Sequence, residues 1–82
     1  MRKVASVKPN TTLQDIIEMA YGNVFTEKDL KSKQLKVFNQ MLKEPFTIDV
    51  EEDVVIVGNN GYSFQCLLRD FDSLFTVTNY YD

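Results

Sequence analysis

The chain has 82 residues, enough for one domain with a single core, and its 44% hydrophobic content argues against a wholly disordered protein. It has no histidine and one cysteine, which excludes an internal disulfide, the usual zinc sites and catalytic Ser-His-Asp or Cys-His arrangements. The formal net charge of −3 disfavours a nucleic-acid partner held by phosphate neutralisation.

The charge is divided unevenly along the chain. Residues 1–44 carry eight basic and five acidic side chains, whereas residues 45–82 carry one basic side chain, Arg69, and seven acidic ones. The first part therefore has a formal charge of +3 and the second a formal charge of −6. Two interpretations stay open: ordinary scatter over a solvated surface, or a dipolar module whose opposite faces orient different neighbours.

The first predicted elements are a short strand and a capped helix. Residues 3–7 are partly β-branched and end at a Pro-Asn turn, which favours a strand. Thr11 and Gln14 then have the spacing of a capping box at a helix N-terminus. An apolar stripe at helical spacing follows, made of Leu13, Ile16, Ile17 and Ala20. Gly22 suits the left-handed residue that closes such a helix.

A second helix is predicted before Pro45. Its start is either Thr26, which is followed by acidic residues that the helix dipole favours, or Ser32. One apolar face contains Leu35, Phe38 and Leu42. Because proline cannot continue a helix, we expect this one to end at about Glu44.

Strand patterns follow the proline. Residues 46–50 are mixed, residues 51–53 form an acidic turn, and residues 54–57 are a β-branched run typical of a buried strand. The dipeptide Asn60-Gly61 is the strongest short-range hairpin signal in the chain.

The apolar residues of segment 62–75 fit both the periodicity of a strand and that of a helix. Tyr62, Phe64, Cys66 and Leu68 alternate as a returning strand does, whereas Phe64, Leu67, Leu68, Phe71 and Phe75 share one helical face. We favour the hairpin, because the Asn-Gly turn precedes this segment and a β-branched tail, residues 75–81, follows it. We expect Cys66 to be a small buried hydrophobe.

The sequence contains few residue patterns that could support catalysis or metal binding. Three glycines are too few for a phosphate-binding loop. The run Asp49, Glu51, Glu52 and Asp53 lacks the spaced ligands of a calcium loop, so we expect a solvated turn. Asp70 and Asp72 are the remaining candidates for an acid and base pair, but no pocket is predicted beside them. We therefore expect no enzyme, no metal and no cofactor.

The candidate partner contacts lie in the C-terminal part of the chain. Large aromatic residues near an exposed end often mark a contact surface, and such a pair directly precedes the last residue, Asp82. We name four candidate contacts: Tyr80, Tyr81, Asp70 and Asp72.

The stretch VKPNTTLQDIIEMAYGN resembles the start of a LysM domain, in which a strand leads to a V-x-P-G-D-T-L turn and a first helix of the form x-x-I-A-x-x-Y-G. The positions in register are Val7, Pro9, Thr12, Leu13, Ile16, Ile17, Tyr21 and Gly22. Residues 48–57 lie where that family has its closing strand. The resemblance covers roughly residues 3–57.

The resemblance implies an α+β fold with a β-α-α-β LysM-like core over residues 1–57. Residues 58–82 are then a C-terminal extension, a β-hairpin or strand or a short helix, packed on the same single domain. The family's glycan groove implies eight residues in two candidate binding loops: Pro9, Asn10, Thr11 and Thr12 in one, and Asp49, Val50, Glu51 and Glu52 in the other. Both loops lack the family's glycines, because Asn10-Thr11 replaces Gly-Asp and residues 50–53 replace Pro-Gly.

The glycine-poor variant ending in Y-G-N looks more like the LysM-like units of phage tail and baseplate proteins. We therefore expect a non-enzymatic phage structural protein, with other virion proteins or a second copy as partners. One alternative is a module that binds peptidoglycan or N-acetylglucosamine chains, and another is a small acidic phage-encoded inhibitor of a host enzyme. No signal peptide or membrane segment is expected, so the predicted location is the virion, or the host cytoplasm before assembly.

Overall fold

The computed structural model describes residues 2–59 and 62–79, in which five strands and three helices form. In chain order they are β1 (Arg2–Val7), α1 (Leu13–Tyr21), α2 (Ser32–Lys43), β2 (Phe46–Glu51), β3 (Val54–Asn59), β4 (Tyr62–Leu67), α3 (Leu68–Leu74) and β5 (Phe75–Asn79). A 3₁₀ turn, Glu27–Asp29, precedes α2. Within these residues no helix is long and apolar enough to cross a bilayer.

All five strands belong to one antiparallel sheet in the order β4-β3-β2-β1-β5. Strand β1 pairs on one side with β2, where Arg2 lies opposite Asp49, and on the other with β5, where Val7 lies opposite Phe75. At the far edge, Val54 of β3 lies opposite the last residue of β4.

The predicted β-α-α-β LysM-like core is wrong, although the chain is a small α+β domain. A β-α-α-β core has two strands, whereas the sheet has five and includes both β4 and β5. Strand β5 pairs along five residues of β1, so the predicted extension supplies the direct neighbour of the first strand. The expected boundary between Val57 and Gly58 lies within β3.

The core lies between one face of the sheet and the helices. Alternation along the strands turns Ala5, Ile48 and Val55 inward, where their side chains are buried. Each helix adds at least one fully or almost fully buried apolar side chain: Ile16 and Ile17 from α1, Val37, Phe38 and Met41 from α2, and Phe71 from α3. The other face of the sheet carries mainly exposed polar residues, as one face of an antiparallel sheet often does.

Helix α3 joins diagonally opposite corners of the sheet. It follows the end of β4, which lies level with the end of β2, and it leads into β5 at the opposite end of β1. In a flat sheet these corners would be about 30 Å apart, whereas seven helical residues span about 10 Å. The sheet must therefore twist strongly and curl its two corners towards the helices.

Several local predictions need correction in detail. Helix α1 is capped by Thr12 and Asp15 rather than by Thr11 and Gln14. Residues 62–75 take both predicted forms in succession, because β4 ends at Leu67 and α3 begins at the next residue. Helix α2 starts at Ser32, the second of the two predicted starts. The predicted Asn60-Gly61 turn lies outside the described residues.

Candidate functional site

The first candidate binding loop is held against the end of α3. The backbone N–H of Lys8 donates to the Leu74 carbonyl oxygen over 2.9 Å, and the Thr11 hydroxyl donates to the same oxygen over 3.3 Å. Asn10 has a φ of 70°, in the left-handed region that asparagine tolerates better than most residues. Thr12 caps α1. Its hydroxyl accepts a hydrogen bond from the Asp15 backbone N–H, and its own backbone N–H donates to the Asp15 carboxylate.

The second candidate loop is the hairpin between β2 and β3. Asp49, Val50 and Glu51 belong to β2 and pair with β3, so only Glu52, with a φ of 55°, lies in the turn. The carbonyl oxygen of the next residue, Asp53, accepts a hydrogen bond of 2.7 Å from the N–H of Leu68, the first residue of α3.

The two loops therefore lie at opposite ends of α3 and do not form one groove. The loop after β1 contacts the last turn of α3, and the hairpin contacts its first residue. Both are part of how α3 is anchored to the sheet. This placement was not visible in the sequence, because it depends on the pairing of β5 with β1.

The candidate partner contacts are only partly described. Asp70 and Asp72 are exposed residues of α3 and lie in different hollows: Asp70 beside α1, and Asp72 beside Asp53 and Arg69. Tyr80 and Tyr81 lie outside the described residues.

A shallow acidic groove of about 380 Å³, largely open to solvent, lies between α1 and α3. Three carboxylates line it, from Asp15 and Glu18 of α1 and from Asp70 of α3, together with the half-buried apolar side chains of Met19 and Leu74. Asp70 is one of the candidate contacts predicted from the sequence, whereas Asp15 and Glu18 were not predicted. Their signal was the spacing of three positions on the polar side of the predicted helix.

A stripe of lysines lies on the exposed face of α2. Lys33, Lys36 and Lys43, with Gln40 between them, recur at helical spacing and are exposed. A hollow at this face is lined by Lys36 and Lys43, by the amides Asn39 and Gln40, and by the acidic Glu44 at the end of the helix. Because α1 contacts both α2 and α3, the helical layer is acidic on the α3 side and basic on the α2 side.

The titratable groups with shifted pKa values lie near the core. Burial raises the pKa of the Cys66 thiol to about 11, and the negative charge of Asp70 contributes in the same direction. Burial also raises the pKa of Tyr21, while the hydrogen bond that its hydroxyl accepts from Gln34 opposes the rise. Within residues 2–59 and 62–79, no three His, Cys, Asp or Glu side chains are placed so that they could hold a metal ion.

Another hollow, of about 250 Å³, lies beside the C-terminal end of α2. Apolar side chains line much of it, including Val37, Met41, Phe46 and Val57. Glu44 is the one titratable residue in its described lining, so this hollow does not bring an acid and a base together.

No protein family model matches the sequence, and neither a curated protein nor a solved structure matches the chain.

Proposed function

We propose that this chain is a small non-enzymatic structural protein that holds neighbouring proteins through two oppositely charged faces, as a component of an assembly such as a phage virion. The observation that carries the proposal is the division of charge within the helical layer, with carboxylates between α1 and α3 and lysines along α2. Charge divided in this way orients association and suppresses wrong partners more than it adds affinity.

The acidic groove suits an arginine or lysine side chain of a partner. A long basic side chain buries its aliphatic stem on apolar surface and keeps its charged head among polar groups. Met19 and Leu74 offer the apolar contact, and the three carboxylates accept hydrogen bonds from the head. The groove therefore favours a basic segment of a neighbouring protein.

An inhibitor of a host enzyme is the second candidate, because the same groove suits a basic loop at an enzyme's active site. The two functions differ in their use of α2. A structural component needs both charged faces, whereas an inhibitor needs the acidic groove alone. Glycan binding is not favoured by any comparable feature, since its two candidate loops lie at opposite ends of α3.

The test is a calorimetric titration of the protein with an arginine-rich peptide at low ionic strength. Replacing Asp70→Asn together with Glu18→Gln is expected to weaken binding at least about tenfold, because both carboxylates line the groove. The control, Glu27→Gln with Glu51→Gln, removes the same charge from exposed positions outside the groove. It is expected to weaken binding less than about twofold. Equal losses of affinity in both variants would mean that net charge alone attracts the peptide. That result would contradict binding in the groove.

The structural role is tested in purified virus particles, which would contain the partner proteins. If the protein is a virion component, purified particles contain it, and charge-neutral α2 variants such as Lys33→Gln with Lys36→Gln reduce its incorporation. Normal incorporation of these variants would contradict a role for the lysine stripe. Absence of the protein from particles, combined with inhibition of a host enzyme, would favour the second candidate.

A further inference from the structure

The sheet has two outer strands, β4 and β5, and each has one side that no other strand pairs within the described residues. Such an edge is a template for another strand, and proteins commonly protect it with charges, proline or a bulge. Strand β4 has none of these. Its sequence YSFQCL is uncharged and free of proline, and its pairing with β3 runs from Val54–Leu67 to Asn59–Tyr62 without a skipped residue.

The start of β5 is packed more deeply into the core than β4 is. Phe75, at the start of β5, is 1% exposed and stacks on Phe71 of α3 with ring centroids 4.5 Å apart. The inward side chains of β4 are all only half-buried: Tyr62, Phe64 and Cys66. On its opposite face Leu67 is 40% exposed. Strand β4 therefore combines an outer backbone edge that no described strand pairs with apolar surface on both faces of the sheet.

We infer that the free edge of β4 pairs with β4 of a second copy, so that two five-stranded sheets become one continuous antiparallel sheet about a two-fold axis. With Phe64 on the axis, Phe64 lies opposite its own copy and Tyr62 lies opposite Cys66. On the other face of the sheet, Ser63 then lies opposite Gln65. Apolar residues meet apolar residues, uncharged polar residues meet each other, and no like charges face one another.

This dimer does not depend on the charged faces. None of the residues of β4 lines the acidic groove or the hollow at the lysine stripe. Backbone hydrogen bonds and apolar contacts persist at about 0.5 M salt, where charges are screened beyond about 4 Å. Contacts through the charged faces weaken under the same conditions. Ionic strength therefore distinguishes the β4 dimer from association through the charged faces.

The test is sedimentation equilibrium of the whole chain. The wild type is expected to be a dimer at about 0.5 M salt and at protein concentrations of about 100 μM. At about 0.1 M salt, Ser63→Lys with Gln65→Lys is expected to raise the dimer dissociation constant at least about tenfold, since it places lysines opposite each other twice. Ser63→Lys with Gln65→Glu places opposite charges opposite each other, and is expected to stay within about threefold of the wild type.

The matched control is Thr76→Lys with Thr78→Lys, which adds the same charge to exposed positions of the same sheet face on β5. It is expected to leave the dissociation constant within about threefold. A wild type that stays monomeric up to about 1 mM would overturn the inference. So would equal weakening by the β4 and β5 lysine pairs, or failure of the opposite-charge pair to restore the dimer. A monomer that still binds the arginine-rich peptide would overturn this dimer while leaving the proposed function in place.

Discussion

The backbone N–H of Lys8 donates a hydrogen bond of 2.9 Å to the carbonyl oxygen of Leu74, so the loop after β1 closes the C-terminal end of α3. The Lys8 ammonium also donates to the Asp72 carbonyl oxygen over 2.6 Å. The last carbonyl groups of a helix have no partners within it, and a positive charge is favourable there. A segment that resembles a ligand-binding loop in sequence therefore anchors a helix in this fold.

Thr11→Val is expected to destabilise the protein through this anchor. The substitution keeps the shape of the side chain and removes the hydroxyl that donates to Leu74 in a partly buried position. We expect the free energy of unfolding to fall by about 1 kcal/mol, measured by urea denaturation. Thr47→Val, on the exposed face of β2, is the control and is expected to stay within about 0.5 kcal/mol of the wild type. Equal effects at both positions would contradict the anchoring role.

Glu52→Gly is expected to stabilise the protein. Glu52 has a φ of 55°, and a residue with a Cβ pays about 1 kcal/mol or more in that left-handed region. Glycine removes this cost but gives the unfolded chain more freedom, so we expect a net gain of about 0.5 kcal/mol in the free energy of unfolding. Glu51→Gly, one residue earlier in β2, is expected to destabilise instead. Destabilisation by both glycines would show that the turn is not strained.

Removing the hydroxyls of two different tyrosines is expected to change the free energy of unfolding in opposite directions. The Tyr62 hydroxyl is buried and has no hydrogen-bond partner among the described residues, whereas the Tyr21 hydroxyl accepts a hydrogen bond of 2.9 Å from Gln34. A buried polar group without a partner costs about 1 kcal/mol or more. Tyr62→Phe is therefore expected to raise the free energy of unfolding and Tyr21→Phe to lower it, each by about 1 kcal/mol. Denaturant melts of both variants measure this contrast, which a loss at position 62 would contradict.

The thiol of Cys66 is expected to react slowly in the folded protein. Its pKa of about 11 lies above the ordinary value of 9.0, because the half-buried thiol is partly desolvated and the negative charge of Asp70 adds to the rise. At pH 8 the thiolate fraction is then about a hundredfold below that of the unfolded chain. Alkylation with iodoacetamide, with and without denaturant, measures the ratio. Asp70→Asn is expected to speed the folded-state reaction, and equal rates with and without denaturant would contradict the raised pKa of the thiol.

The same pKa makes stability depend on alkaline pH. The folded state holds the thiol proton more tightly than the unfolded state, so the contribution to stability is complete below pH 9.0 and is lost as the pH rises to about 11. Across this range the free energy of unfolding is expected to fall more in the wild type than in Cys66→Ala. The raised pKa of Tyr21 acts in the same direction in both chains, so their difference isolates Cys66. Parallel curves for the two chains would contradict this contribution.

Local sequence patterns were sufficient for much of the secondary structure. Pro45 follows the end of α2, as predicted, and the predicted acidic turn separates β2 from β3, although Glu51 belongs to β2 and only Glu52 and Asp53 form the turn. The cap of α1 was displaced by one residue because Thr11 and Thr12 are both good caps. The fold uses the Thr11 hydroxyl for the Leu74 carbonyl oxygen, which leaves Thr12 to cap the helix with Asp15.

The arrangement of the strands and the acidic groove required contacts that no local pattern carries. Strand β5 pairs with β1 although Phe75 and Val7 are far apart in sequence. Asp70 lines the same groove as Asp15 and Glu18 because α3 bridges two corners of a curled sheet and lies beside α1. Residues 62–75 satisfied two periods because Phe64 of β4 and Phe71 of α3 both face the core. The resemblance to LysM rested on a strand-helix-helix-strand order over residues 3–57, and this different sheet contains the same order in β1, α1, α2 and β2.

The most direct test of the central claim is to map an arginine-rich peptide onto the folded protein by NMR amide shifts. The claim is that a basic partner segment binds between α1 and α3. The largest shifts are expected in the residues around Asp15, Glu18 and Asp70, with small shifts along α2, and Asp70→Asn with Glu18→Gln is expected to abolish the pattern. Shifts that centre on the acidic hairpin at Glu51 and Glu52, or that survive the double substitution, would contradict the claim.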